Sequence, residues 1–103
     1  MALDSRQQHQ VRVELEQHFA LAGLTDEEAA ADLGWDIARV RRTIELAHGA
    51  EPVDVWQLRD YIARAVKDAG HHPTFTVLTS GNRLRARLWF GLRPAPRRGA
   101  RGR

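Results

Sequence analysis

Apolar residues recur at helical spacing along most of the chain and change to strict alternation only near its end. Over about residues 5–22, Val11, Leu15, Phe19 and Ala22 form one stripe, with Arg12, Glu14, Glu16 and Gln17 largely off it. Gly23 can take the left-handed conformation that ends a helix. Thr25 is the expected N-cap of a second helix, with Glu28 closing a capping box and Leu24 packing back over the turn. This second helix, roughly residues 26–33, turns Ala29, Ala30 and Leu33 inward, and its alanines allow another helix to approach closely. Gly34 stops it after two turns, and Asp36 caps a third helix whose apolar positions are Ile37, Val40, Ile44 and Ala47.

After Gly49 the pattern breaks at Glu51 and Pro52. Asp54 is then the expected cap of a longer fourth helix reaching about residue 69, with Val55, Leu58, Ile62, Ala65, Val66 and Ala69 on its apolar face. Trp56 and Tyr61 flank that face and are expected to pack, against the first helix or against a second copy. Gly70 and Pro73 end the helix. In residues 83–90, Leu84, Ala86, Leu88 and Phe90 alternate with Arg83, Arg85, Arg87 and Trp89, the period of a half-buried strand. With residues 74–78 and a turn at Ser80, Gly81 and Asn82, they predict a hairpin, a short helix from near Arg83 being the alternative.

The expected fold class is therefore mainly α: a tri-helical helix-turn-helix core, a fourth helix and a wing-like C-terminal β-hairpin. A length of 103 residues suits one domain, drawn over 1–92, with 93–103 as a disordered basic tail. With no cysteine, neither a disulfide framework nor a thiolate metal site is available. No positively charged segment leads into an apolar one at the N-terminus, and no apolar run approaches the ~20 residues that span a bilayer. A cytoplasmic protein without membrane contact is the expectation.

The formal charge of +3 conceals a division. Residues 1–82 hold eight basic side chains against all thirteen acidic ones, a balance of −5, whereas residues 83–103 hold eight arginines and no acid, +8. Attraction to nucleic acid on charge grounds is thus a property of the C-terminus.

Residues 25–46, with Ala30, Gly34 and Val40 at spacings of four and six, resemble the tri-helical helix-turn-helix of repressors and of the promoter-reading domain of sigma factors. A wider resemblance runs from about residue 5 to residue 92. The run from Leu24 through Gly34, then Val40, the stretch Trp56-Gln57-Leu58-Arg59-Asp60-Tyr61, residues 73–78 and Trp89-Phe90 are similar to a small bacterial family, domain of unknown function 2316. That resemblance implies a helix-turn-helix-like fold and brings no catalytic residues, substrate or cofactor. The chain departs from the usual motif at Trp35-Asp36-Ile37, where a smaller apolar residue and Ser or Thr are commoner. Trp35 is expected as a core anchor, with a partly exposed contact residue as the alternative.

Two functions follow. The first is a DNA-binding transcriptional regulator, acting as a homodimer because one copy would hold an operator weakly. Arg39, Arg42, Ala38 and Glu45 lie off the buried stripe of the third helix and are the candidate base contacts, while Arg41, Arg83, Arg85 and Arg87 are candidates for phosphate. The aromatic fourth helix is the candidate dimer interface. The second is a protein-interaction module that keeps the shape without specific DNA binding, meeting a partner through its acidic face or a Trp35/Trp56 surface. Asp26, Glu27, Glu28 and Asp32 weigh towards the second, although acids in a first turn also stabilise a helix N-terminus. No enzyme is expected: there is no glycine-rich phosphate loop or Cys nucleophile, His71-His72 lacks a third metal ligand, and His9 and His18 are too far apart to chelate. Neither a cofactor nor a metal is expected.

Overall fold

The computed structural model describes residues 4–47, 49–89 and 91–99, and among these it contains five helices and no strand. They are α1 (Ser5–Leu21), α2 (Asp26–Leu33), α3 (Ile37–Ile44), α4 (Pro52–Asp68) and α5 (Ser80–Trp89).

Local chemistry places the first three. Asp4 and Gln7 form a reciprocal capping box at the start of α1, with the Asp4 carboxylate accepting from the Gln7 N–H at 2.8 Å. Thr25 Oγ1 accepts from the Glu28 N–H at 3.1 Å and starts α2. The Glu28 carboxylate meets the Thr25 hydroxyl at 3.4 Å, so the second half of the expected box is made with a side chain instead of the cap's backbone. Gly34, with φ of 73°, ends α2 in the left-handed region, and Asp36 accepts from the Arg39 N–H at 2.7 Å two residues later. A sharp corner between two eight-residue helices results.

The two long helices, α1 and α4, pack against each other, while α3 is seated on α4 and held by α2. Val11, Leu15, Val40, Ile44, Leu58 and Ile62 are fully buried where these helices meet. Burial of each such side chain stabilises the fold by about 1.5–3 kcal/mol. Trp56 and Tyr61 are buried in this same core, so α4 offers no aromatic surface to a second copy, nor Trp56 to a protein partner. Trp35 is half-buried against the core. On α3 the stripe is narrower than expected: Ile37 is 44% exposed, and Ala47, beyond the end of the helix, is exposed as well. α4 begins at Pro52, whose fixed φ suits a first helical position, and Asp54 lies inside its first turn instead of capping it.

The expected hairpin is replaced by a loop and a helix. None of residues 83–90 is β-branched, and arginine, leucine and alanine all favour a helix. Thr79 starts α5, its Oγ1 accepting from the Asn82 N–H at 3.2 Å and its carbonyl from the Arg83 N–H at 2.8 Å. The residues read as a hairpin turn form the first helical turn. Phe90 lies outside the described residues. Residues 74–78, the expected partner strand, are engaged elsewhere. The buried Glu14 carboxylate accepts from the Thr76 N–H at 2.9 Å and from its hydroxyl at 2.6 Å. His18 Nε2 accepts from the Thr74 N–H at 2.8 Å, so the ring proton sits on Nδ1, which donates to the Glu14 carbonyl. The Phe75 ring stacks on His18 with centroids 4.1 Å apart.

Beyond α5, residues 91–99 follow no regular structure and run back over the helices. Arg93 donates to Asp54, Pro94 accepts from Gln57, Arg97 reaches Asp68 and Arg98 reaches Glu28. Arg101 and Arg103 lie outside the described residues.

Candidate nucleic-acid interface

The corner at Gly34 leaves one side of α3 uncovered. Val40, Thr43 and Ile44 face inward, while Ile37, Ala38, Arg42 and Glu45 are exposed. Of the four expected base contacts, Ala38, Arg42 and Glu45 therefore lie on one outward surface.

Arg39 does not join them. Its Nε and Nη2 donate to both oxygens of the Asp54 carboxylate at 2.9 and 2.8 Å, and its guanidinium lies 4.4 Å from the Trp35 ring. Asp54 is buried at the start of α4, and Arg93 donates to it as well. Burial opposes ionisation of Asp54, but the Arg39 hydrogen bonds and the charges of Arg39 and Arg93 outweigh it and hold the carboxyl below its ordinary value. The same bond to Asp54, opposed by burial, raises the Arg39 pKa. The three-group cluster thus fixes α3 to α4 and to the C-terminal segment.

Arg41 is surrounded by acids, with Glu16 at 3.0 Å, Glu45 at 3.1 Å and Asp26 at 3.3 Å. Burial works against its charge, and those carboxylates more than compensate and raise its pKa. Arg42 is the one α3 arginine that forms no ion pair among the described residues. In α5, Arg83 pairs with Asp60 at 2.8 Å, Arg87 is exposed, and the side chain of Arg85 lies outside the described residues.

Sequence reasoning missed Asp54 as an electrostatic partner and Ile37 as a surface residue. Asp54 is fifteen positions from Arg39 and in another helix, and no periodicity links the two. Ile37 lies in the first turn of α3, just beyond the corner, and its apolar character gave no sign of its exposure. Among the described residues no group of three or more His, Cys, Asp and Glu side chains is placed to hold a metal ion, and His71 and His72 are exposed. No described helix is long and apolar enough to cross a membrane.

Residues 1–91 match the profile of a family described as uncharacterised proteins conserved in bacteria (DUF2316). The chain belongs to this family. No curated relative and no solved structure matches it. The match extends from α1 through α5, so the region carrying the α2–α3 corner and the region expected to form a hairpin both belong to the family's domain.

Proposed function

We propose that the protein is a cytoplasmic DNA-binding transcriptional regulator of the helix-turn-helix type, acting as a homodimer, with α3 entering the major groove. The observation that supports this reading is the uncovered face of α3, on which Ala38, Arg42 and Glu45 stand together beyond the Gly34 corner. Arg42 is the reader, since its planar fork is available for the O6 and N7 of guanine. Ala38 and Ile37 supply apolar contact to thymine methyl groups. Arg39 becomes a positioning residue, because its Nε and Nη2 fork is engaged by Asp54 and ties α3 to α4. The exposed Arg87 contributes phosphate attraction.

One observation favours the second reading, a protein-interaction module without specific DNA binding. Arg39, Arg41 and Arg83 are all neutralised by carboxylates of the body, so the helices add little net positive field. Binding to genomic fragments and to random duplex across a salt series separates the two. The regulator reading expects Arg42→Ala to remove selectivity, by about 1–3 kcal/mol at the contacted base, while Arg87→Ala weakens all duplexes alike. If Arg42→Ala leaves selectivity intact, or no fragment is preferred to random duplex, the interaction reading replaces it.

A further inference from the structure

The groove between α2 and the C-terminal end of α4 is lined by Glu27, Glu28, Asp32 and Asp68, and the chain's own basic segment lies in it. Arg98 is bound by all three of its guanidinium nitrogens. Nε and Nη2 donate to the two Glu28 oxygens at 3.0 Å each, Nη1 donates to the Ala22 carbonyl at 2.7 Å, and Nη2 also donates to the Gly23 carbonyl at 3.0 Å. Those carbonyls are at the C-terminal end of α1, where the helix dipole is negative. On either side, Arg97 donates to Asp68 at 3.2 Å and the Gly99 N–H donates to Asp32 at 2.8 Å. Asp32 is itself buried and held by the Tyr61 hydroxyl at 2.5 Å. Gly99 has a φ of 79°, a conformation that favours glycine. Two side chains and one backbone amide in succession are thus met by acceptors from three helices, which is how a peptide is recognised.

We propose that this face is a docking surface for the chain's own Arg97-Arg98-Gly99, and that docking withholds these arginines from nucleic-acid phosphate until a polyanion competes them off. The withholding rests on the DNA-binding reading; the docking does not. Chemistry makes the two engagements mutually exclusive, because the fork of Arg98 that grips Glu28 is the fork a phosphate would occupy. The partners are also exposed enough to exchange, with the Glu28 and Asp68 side chains 40% and 43% accessible.

Glu27 supplies the control. It precedes Glu28 on α2 and carries the same charge, and no ion pair between it and the segment occurs among the described residues. In the full chain, Glu28→Gln is expected to speed trypsin cleavage after Arg97 and Arg98 by about fivefold, the most an exposed pair of this kind supplies, and Glu27→Gln to leave it unchanged. Arg98→Gln, which lies outside the helices, should likewise speed cleavage after Arg97. Towards a random 20-base-pair duplex, Glu28→Gln is expected to bind more tightly than Glu27→Gln, with a salt slope steeper by roughly 0.9 for each arginine freed. Equal cleavage of the two glutamine variants overturns the docking, and unequal cleavage with equal duplex affinity overturns the withholding. Arg42→Ala, run alongside, tests α3 as the reading helix and should alter neither comparison.

Discussion

Two arginine forks in this protein have nearly the same geometry and different surroundings. Arg39 grips Asp54 through Nε and Nη2 at 2.9 and 2.8 Å, and Arg98 grips Glu28 through the same two nitrogens at 3.0 Å each. The Asp54 side chain is only 7% accessible, whereas that of Glu28 is 40% accessible. Distance alone would assign the two pairs the same part. Burial separates them, because an ion left without its partner in the interior keeps the cost of its lost hydration, while one at the surface regains water. The first fork is a fixed joint between α3 and α4. The second is a contact that a competing anion can displace.

The sharpest way to break this contrast is to neutralise each carboxylate in turn. Asp54→Asn leaves Arg39 and Arg93 facing an amide and is expected to destabilise the fold by about 2–3 kcal/mol, somewhat less than for a fully buried pair because Arg39 reaches water. Glu28→Gln should cost no more than about 1 kcal/mol, the free energy that a fivefold change in cleavage represents. Urea denaturation of the two variants measures both, and similar losses would remove the distinction. The joint also has a pH signature. Asp54 is held below its ordinary value of 3.8, so its stabilisation is present above that pH and is lost as pH falls through the lowered folded value. Glu14, also held low because its Thr76 and Gln10 bonds outweigh burial, adds to the loss in the same direction. Stability should therefore fall below about pH 4, and Asp54→Asn should flatten that limb.

The fixed joint was the part least legible in the sequence. Caps are local, so Thr25, Gly34 and Asp36 marked the ends of α2 and α3 from residues three or fewer apart. The stripe of Val11, Leu15, Phe19 and Ala22 likewise identified the buried side of α1. Pairings between helices carry no such spacing. Asp54 looked like a cap because aspartate before an apolar run usually is one, and its true partner came into reach only when α3 packed on α4. The alternation after Asn82 misled for a related reason. A two-residue period in a short run can coexist with helical positions, and residue types that favour helix, together with a Thr79 cap, decided the outcome. Of the candidate site, the exposure of Ala38, Arg42 and Glu45 followed from helical geometry, while that of Ile37 and the ion pairs that occupy Arg39 and Arg41 did not.

Tyr61 and Asp32 join the two regions, and their pair should behave between the extremes. The hydroxyl is buried in the core, yet the carboxylate it meets also receives the Gly99 amide from the docked segment. Tyr61→Phe is expected to cost about 1–2 kcal/mol, the usual penalty for leaving a buried acceptor short of a donor, read by thermal or urea unfolding. Burial first, and then the neighbouring Asp32 carboxylate, push the Tyr61 hydroxyl far above its ordinary value of 10.0. A raised folded pKa means that the stabilisation is complete below pH 10 and is lost as pH rises towards the folded value. Tyr61 is the one tyrosine of the chain, so tyrosinate absorbance reports this group alone. Absorbance should rise only as the protein unfolds in alkali; a rise near pH 10 with the fold intact would show that the hydroxyl is not held.

The smallest effect distinguishes the two forks without altering a residue. Raising salt to about 1 M shortens the screening length to roughly 3 Å, which weakens attraction between exposed charges and leaves a desolvated pair largely intact. The Arg97 and Arg98 contacts should loosen first, because Asp68 and Glu28 are both well exposed to the ions. Trypsin loses or gains activity of its own in salt, so the informative quantity is the ratio of cleavage rates after Arg97 for Glu28→Gln and the unaltered chain. That ratio should fall from about fivefold towards one as salt increases, while the stability difference made by Asp54→Asn persists. A ratio that stayed near fivefold would mean that the contact between Glu28 and Arg98 is shielded from the ions, and the surface fork would then belong with the fixed joint.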